Sequence, residues 1–140
     1  MKTVLCVLNS VILFSVSGLH FYWLFGGKWA LESAIPTNRE GNPLFNPGMA
    51  ATLVIALGLL AFSSFYLIRG EFISIQIPFV ILDYAGYGIS AIFFLRAIGD
   101  FKYVGIFKKE TTTHFASRDT KFYAPLCLLL ALSGMLIELV

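Results

Sequence analysis

Long apolar blocks separated by charged segments are the dominant pattern along this chain. No Asp, Glu, Lys or Arg occurs in residues 3–27, 41–68 or 122–137, and residues 72–95 contain only Asp83. A helix needs roughly 20 apolar residues to cross a hydrocarbon layer of about 30 Å, so these blocks are long enough to span a membrane. They lack the alternation of a membrane barrel, and lipid offers no partner to the backbone of an isolated strand. The pattern therefore predicts an all-α membrane protein whose four transmembrane helices pack as a compact bundle.

The four blocks define a single four-helix transmembrane domain that covers residues 1–140. We place its spans at about residues 4–25, 49–68, 72–97 and 122–140, with loops at 26–48 and 98–121 and a very short connection between the second and third spans. The composition agrees, because 58% of residues are hydrophobic and 13% are charged, against about 25% charged in soluble domains. The start of the chain also resembles a cleavable signal peptide, but the apolar run continues to Phe25, which favours a complete span.

Positive charges are distributed unequally between the two sides of this arrangement. The side with the two longer loops carries Lys28, Arg39, Arg96, Lys102, Lys108, Lys109, Arg118 and Lys121. The opposite side carries only Lys2 and Arg69. Since Lys and Arg favour cytoplasmic loops, we expect a multi-pass protein of the cell membrane with both loops cytoplasmic and both termini outside. Membrane lipid is the expected partner, a net charge of +2 gives no basis for nucleic acid binding, and the sequence identifies no protein partner.

Each span carries a stripe of small and hydrogen-bonding residues at helical spacing. Membrane helices pack through such residues, because lipid gives apolar side chains no reason to associate with one another. The stripes are Cys6, Ser10, Ser17 and His20; Ala51, Gly58, Ala61 and Ser64; Asp83, Gly86, Tyr87, Ser90 and Ala97; and Cys127, Ala131, Gly134 and Glu138. We interpret them as packing faces and expect a partly polar seam inside the bundle.

Asp83 and His20 are the candidate catalytic residues within the spans. An acid inside a span is costly and is usually retained for a function, although a structural acid bonded to Tyr87 or Arg69 is the alternative. His20 is a candidate because an imidazole can shuttle protons. The helical rise separates the depths of Asp83 and His20 by about 10 Å, so a direct pair would need water between them. His20 and Cys127 at similar depth provide too few ligands for zinc, and we expect no metal and no cofactor.

Aromatic and charged residues converge on the predicted cytoplasmic side. The candidate ligand-binding residues there are Trp23, Arg96, Asp100, Lys102, Tyr103, Asp119 and Tyr123. In this interpretation the rings line a pocket at the level of the lipid headgroups, the cations bind an anionic group, and the carboxylates orient the cations. The alternative is an aromatic belt with snorkelling lysines, which is common at membrane interfaces.

Four segments carry a resemblance to a known family. They are His20–Trp23, Pro43–Gly48, Leu95–Gly105 with its Arg-x-x-Gly-Asp-Phe sequence, and Asp119–Cys127 with its Asp-Thr-x-x-Tyr-x-Pro-Leu sequence. Over nearly its whole length the chain resembles a bacterial family of small four-span membrane proteins catalogued as a domain of unknown function. The resemblance implies that these segments lie together on one side of a bacterial inner membrane, and it brings no activity, cofactor or partner.

Three classes of function remain open from the sequence. The leading hypothesis is a protein that binds a lipid or small amphiphile at the cytoplasmic end of its bundle. The second is a membrane-embedded enzyme acting on a lipidic substrate, with His20 as proton shuttle and Asp83 or Asp100 as its charged partner, although no recognised catalytic motif is present. The third is a small proton-coupled transporter in which Asp83 binds the proton.

Overall fold

The computed structural model describes residues 1–140 and is built from helices. Its elements are α1 (Lys2–Leu24), α2 (Leu31–Ala34), α3 (Met49–Arg69), α4 (Phe79–Ile98), α5 (His114–Arg118), a π-helical turn (Asp119–Tyr123) and α6 (Ala124–Leu139). The last three follow one another without interruption and form a single long helix. Four helices are thus long and apolar enough to cross a membrane, which confirms the predicted all-α, four-helix architecture.

The bundle consists of two helical hairpins. α1 packs along α3, α4 packs along α6, and a smaller contact between α1 and α6 joins the two hairpins. The backbones of α3 and α4 stay farther apart, and large side chains fill the space between them. The rings of Phe62 and Phe93 meet there edge to face, with centroids 6.2 Å apart. The hydrophobic core at the centre includes Leu13, Tyr66 and Ile137, which are almost completely buried.

Hydrogen-bonding side chains face the interior of the bundle, and apolar side chains face outward. The buried residues of α1 are Cys6, Asn9, Ser10, Leu13 and Ser17. The hydroxyls of Ser10 and Ser63 lie 2.9 Å apart between α1 and α3, and Ser133 donates to the side-chain oxygen of Asn9 at 2.7 Å between α6 and α1. An interhelical hydrogen bond of this kind contributes about 0.6 kcal/mol in a membrane. The expected polar seam is therefore present.

The predicted packing face of the second span is wrong. Ala51 and Ala61 are exposed, and the interior face of α3 carries Ala56, Ser63 and Tyr66 instead. Small residues are tolerated against lipid as well as against protein, so their spacing alone does not identify the buried side of a helix. The stripes predicted for the other three spans lie mainly on buried faces.

The connection between the second and third spans is longer than predicted, because α4 begins at Phe79 and not near residue 72. Residues 70–78, which we call the strap, link α3 to α4 without helical structure. Glu71 has φ 65°, which ends the preceding helix, and the ring of Pro78 disfavours helical geometry at the residue before it. The strap is as apolar as a span, which explains why hydropathy alone merged it with α4.

The fourth helix begins at His114, whereas the sequence predicted a start near residue 122. Thr113 caps it, because the threonine hydroxyl accepts a hydrogen bond from the N–H of Ala116 at 3.0 Å. The π-helical turn then precedes Pro125, whose backbone nitrogen carries no hydrogen and so cannot donate to a carbonyl of the preceding turn. Asp119 consequently lies inside the helix, with its side chain directed at the third loop.

Arg69, Asp83 and Glu138 form an ion cluster, the Arg69 cluster, at the end of the bundle that carries both termini. Arg69 Nη2 lies 2.7 Å from Asp83 Oδ1 and 2.6 Å from Glu138 Oε2. The side chain of Glu138 is fully buried, whereas that of Asp83 is 49% exposed. A Cβ at Gly86 would collide with the Glu138 carboxylate, so this glycine makes room for the cluster. The cluster connects α3, α4 and α6 and gives Asp83 a structural partner.

Replacing Glu138 by Gln is expected to destabilise the protein more than replacing Asp83 by Asn. Glu138→Gln leaves the buried Arg69 guanidinium with one half-exposed carboxylate, and breaking a buried pair typically costs about 3–5 kcal/mol. Asp83→Asn removes an exposed partner, for which about 1 kcal/mol or less is typical. Unfolding of both variants in SDS, followed by circular dichroism, measures the difference. Equal losses would contradict the role assigned to burial.

Candidate functional site

The third loop folds around the carboxylate of Asp100. Its Oδ1 atom accepts hydrogen bonds from the N–H groups of Lys102, Tyr103 and Val104 at 2.9, 2.7 and 2.9 Å. Burial raises the pKa of Asp100, but the backbone hydrogen bonds to its carboxylate together outweigh burial and leave the pKa below its ordinary value. The side chain of Asp100 therefore accepts hydrogen bonds from three consecutive backbone N–H groups and fixes the conformation of this loop.

Two glycines close the same loop on itself. Gly99 has φ 80° and ψ −161°, a region that essentially only glycine adopts. A Cβ at Gly99 would collide with the carbonyl of Val104, and a Cβ at Gly105 would collide with the carbonyl of Ile98. The Arg-x-x-Gly-Asp-Phe sequence thus encodes a tight loop whose two ends are in backbone contact.

Asp119 fastens this loop to the fourth helix, through a set of residues that we call the Asp119 cluster: Arg96, Lys108 and Asp119. The fully buried carboxylate lies 3.1 Å from Arg96 Nη2 and 3.3 Å from Lys108 Nζ, and it accepts from the N–H of Gly105 at 2.7 Å. Lys108 is also buried and donates to Gly105 O at 3.0 Å and Thr120 Oγ1 at 2.6 Å. Two cations therefore share one carboxylate, and Arg96 keeps a buried Nη1 donor without a protein partner.

A further ion pair connects the third loop to the first. Arg39 Nε lies 2.6 Å from Glu110 Oε2. Hydrogen bonds from Thr112 and then from Arg39 lower the pKa of Glu110 to about 2. The first loop is closed locally by an antiparallel bridge between Thr37 and Pro43. The two loops consequently form one surface, at the end of the bundle opposite the termini.

The two loops enclose an open cleft of about 640 Å³. Its lining residues are Asn38, Arg39, Glu40, Asp100, Phe101, Lys102, Tyr103, Lys109 and Glu110. A second cleft of about 700 Å³ lies between the first loop and residues 112–114. Both volumes fall within the roughly 300–1,000 Å³ typical of small-molecule sites. The first cleft is the candidate site, because it combines aromatic rings with charged groups on a fixed loop.

The charged groups that line this cleft differ in how they are already engaged. The Asp100 carboxylate is bonded to three backbone N–H groups, and Glu110 is paired with Arg39. Lys102 and Lys109 are exposed and take part in no ion pair with a protein carboxylate. These two ammonium groups are therefore the cations of the cleft that have no carboxylate partner within the protein.

The predicted ligand-binding residues divide into two groups around the cleft. Asp100, Lys102 and Tyr103 line it. Arg96 and Asp119 are bound to each other in the Asp119 cluster and fix the loop that carries the lining residues. The sequence predicted that Arg96 and Lys102 bind an anionic group and that Asp100 or Asp119 orients them, whereas in the structure Arg96 is held by Asp119 outside the cleft lining.

Trp23 and Tyr123, the other two predicted ligand-binding residues, lie outside the cleft lining. The indole N–H of Trp23 donates to the carbonyl of Trp29 at 2.8 Å. The ring of Tyr123 packs against Phe115, with centroids 6.0 Å apart. Both rings thus have contacts that stabilise the ends of their helices.

His20 and Asp83 are not brought together. The Nδ1 atom of His20 lies 2.8 Å from the carbonyl of Val16 in its own helix. Asp83 is bound to Arg69, which lies at the level of Cys6 in α1. The stretch of α1 from Cys6 to His20 rises about 21 Å, so the imidazole and the carboxylate lie near opposite ends of the bundle. The structure contains no His–Asp pair for the enzyme hypothesis.

Sequence reasoning missed four contributors to this surface, namely Arg39, Lys108, Lys109 and Glu110. A local signal exists for Glu110, because a carboxylate often bonds to a hydroxyl and an N–H two residues later, as Glu110 does with Thr112. No local pattern marks Lys108 as buried, since a lysine in a basic loop is normally exposed.

Comparison with known proteins gives one match. The family model described as protein of unknown function (DUF3995) matches residues 13–133, which include the cleft and the Asp119 cluster. No curated protein and no solved structure matches the chain. The match confirms the resemblance to a domain of unknown function that the sequence motifs indicated.

Replacing Gly99 by Ala is expected to destabilise the third loop more than replacing Gly41 by Ala destabilises the first. Gly41 also has a positive φ, 81°, but a Cβ there meets open space, so that variant isolates backbone strain of about 1–3 kcal/mol. Alanine at position 99 adds the collision with the Val104 carbonyl. Limited proteolysis of the loops and SDS unfolding measure both effects. Equal sensitivity of the two variants would show that the close approach at Gly99 is not required.

The contact between the two loops is expected to weaken on acidification through Glu110. Its pKa is lowered to about 2 from an ordinary value of 4.5, so the stabilisation is present above pH 4.5 and is lost as the pH falls towards 2. Hydrogen–deuterium exchange of residues 37–43 and 102–112, corrected for intrinsic rates, should therefore be slow at about pH 5 and faster in acid. The Glu110→Gln variant should lose this pH dependence. An unchanged profile in that variant would contradict the assignment.

Proposed function

The chain belongs to the DUF3995 family of proteins of unknown function, and we propose that it binds an anionic membrane lipid at the cleft between its first and third loops. In this proposal it is a multi-pass protein of the cell membrane, in a bacterium the inner membrane. The two loops are cytoplasmic, and both termini are outside.

The two unpaired lysines carry the proposal. Lys102 and Lys109 line the cleft, and neither has a carboxylate partner. Glu110 is paired with Arg39. The exposed acids of the cleft are Glu40 and Asp100, and the Oδ1 atom of Asp100 is already bonded to three backbone N–H groups. An anionic headgroup would thus gain two cations without breaking an existing ion pair, and a charge-assisted hydrogen bond to either lysine would be strong.

Aromatic rings beside the lysines suit the apolar part of an amphiphile. Phe101 is 57% exposed and stacks against Phe107, with ring centroids 6.3 Å apart. The Lys102 ammonium lies 5.0 Å from the centre of the Tyr103 ring. Phe101 follows α4 after only two residues, which puts it near the level of the membrane interface if α4 spans the bilayer. A lipid bound here would place its headgroup on the lysines and its upper chain against these rings.

The rigidity of the third loop also supports binding. Asp100 and the Asp119 cluster fix the loop from both sides, so little conformational entropy remains to be lost when a ligand binds. Positioning residues of this kind raise affinity without touching the ligand.

The distribution of basic residues supports the proposed orientation. Eight lysines and arginines belong to the loop end of the bundle, as counted above, and Lys2 and Arg69 belong to the end with the termini. An excess of this size favours cytoplasmic loops, where anionic lipid also concentrates positive charge.

Neutralising the two cleft lysines is expected to weaken retention of anionic lipid. Each lysine near a membrane surface contributes about 1 kcal/mol, so Lys102→Gln with Lys109→Gln should reduce binding about 25-fold. Native mass spectrometry of the detergent-solubilised protein, titrated with phosphatidylglycerol and separately with phosphatidylcholine, measures the change. Phosphatidylcholine binding should be little affected by the two substitutions.

Lys28→Gln is the matched control, because Lys28 is exposed on the same side of the protein and outside the cleft. It should retain phosphatidylglycerol nearly as well as the unmodified chain. A loss equal to that of the cleft variants would reduce the effect to general surface attraction and would overturn the proposed site.

A further inference from the structure

The second cleft adjoins the first and shares a wall with it. Asn38 and Arg39 line both clefts, so a ligand that occupies the first can extend past these two residues into the second. Only the Nε atom of Arg39 is bonded to Glu110, and its two Nη groups take part in no hydrogen bond within the protein. A single ligand can thus contact both clefts across the shared residues.

The second cleft differs from the first in its charge. Its lining contains no lysine, and its arginine, Arg39, is already paired with Glu110. Its one acid, Glu32, is exposed and forms no ion pair. A phosphate would therefore meet an unpaired carboxylate here and no unpaired lysine or arginine, whereas the first cleft offers two lysines. The second cleft consequently favours an uncharged part of a ligand.

Uncharged hydrogen-bonding groups line this second cleft. The Oδ1 atom of Asn38 accepts from the N–H groups of Glu40 and Asn42 at 3.0 and 2.9 Å, which fixes the orientation of the amide and leaves Nδ2 as a donor without a protein acceptor. The hydroxyl of Thr37 and the imidazole of His114 also take part in no hydrogen bond within the protein. Since a hydroxyl group both donates and accepts, this mixture of donors and acceptors suits several neighbouring hydroxyl groups of a ligand.

The level of the second cleft relative to the membrane suits the outer part of a lipid headgroup. The first cleft contains Phe101, which follows α4 after only two residues. The second contains His114, which precedes Asp119 by five residues of helix, a rise of about 7.5 Å, and Asp119 is bound to Arg96 near the end of α4. A lipid with its phosphate in the first cleft would therefore extend the rest of its headgroup away from the hydrocarbon, toward the second.

We propose that the second cleft binds the hydroxyl groups of a headgroup whose phosphate lies in the first cleft, so that the ligand is an anionic phospholipid with a polyhydroxyl headgroup, such as glycerol or inositol. This inference rests on the proposed function, because the cleft lysines place the phosphate. It adds the class of headgroup, which the lysines do not select, since an ammonium group is a point charge that binds any phosphate. Hydrogen bonds from Thr37, Asn38 and His114 supply the selection.

Phospholipids of equal charge that differ in their headgroup hydroxyls test this inference. Phosphatidylinositol and phosphatidylglycerol carry hydroxyl groups beyond the phosphate, whereas phosphatidylmethanol has the same phosphate diester and none. Native mass spectrometry of the full-length, detergent-solubilised protein should show at least about tenfold tighter binding of at least one hydroxylated lipid than of phosphatidylmethanol, as two net hydrogen bonds would give. Equal binding of all three lipids would overturn the inference and leave the anionic-lipid site intact.

Substitutions in the second cleft test where the preference arises. Thr37→Val removes a hydroxyl at nearly constant shape, and His114→Leu removes an imidazole, so each should reduce the preference about threefold or more, as the loss of one hydrogen bond would. Thr111→Val is the matched control, because Thr111 is exposed and lines neither cleft, and it should keep the full preference. A preference that survives both cleft substitutions, or that falls equally in the control, would contradict binding of the hydroxyls in this cleft.

The cleft lysines separate this inference from the proposed function. The variant with Lys102→Gln and Lys109→Gln should bind all three lipids more weakly and keep the preference for hydroxyls, because the lining of its second cleft is unchanged. Unchanged binding of all three lipids in that variant would overturn the proposed function, and with it the position of the phosphate on which this inference rests.

Discussion

The buried carboxylate of Asp119 is the interaction on which the loop end of this molecule depends. It holds Arg96 at the end of α4, Lys108 in the third loop and the N–H of Gly105, while its own backbone belongs to the fourth helix. A buried charge is tolerated only when its partners are well placed, because loss of one partner leaves the others uncompensated. The geometry of the cleft is therefore tied to a residue that does not line it.

The two ends of the bundle neutralise their buried charges with different arrangements of ion pairs. The Arg69 cluster sets two carboxylates around one guanidinium, with Asp83 half exposed, whereas the Asp119 cluster sets two cations around one fully buried carboxylate. Between the clusters the helices are joined by hydroxyl and amide contacts, such as those of Ser10 and Asn9. Such neutral groups join helices without the cost of burying a charge in the bilayer centre. Formal charge is therefore confined to the ends of the bundle.

The sequence predicted those features that follow from the period of a helix and the thickness of a bilayer. Four spans, a polar seam and a charged loop end were derivable, because hydropathy and spacing act within one helix. The strap was not, since its isoleucines are as apolar as those of a span. The partnership of Arg69 with Glu138 joins residues far apart in the chain, and the burial of Lys108 depends on a carboxylate in another element. Such pairings arise only when helices have packed.

The residues that carry the resemblance to the family act mainly on the conformation of the third loop. Gly99 closes the third loop, Asp100 accepts hydrogen bonds from its backbone, and Asp119 anchors it to the fourth helix, so these three residues already have roles within the protein. Lys102 directly follows the Arg-x-x-Gly-Asp-Phe sequence but has no protein carboxylate to hold it. Strained, rigid loops are typical of sites that bind another molecule. The unpaired Lys102 is the residue of this loop whose role the fold alone does not explain. That asymmetry is the physical reason to look for its partner outside the chain, among the anionic groups of the membrane.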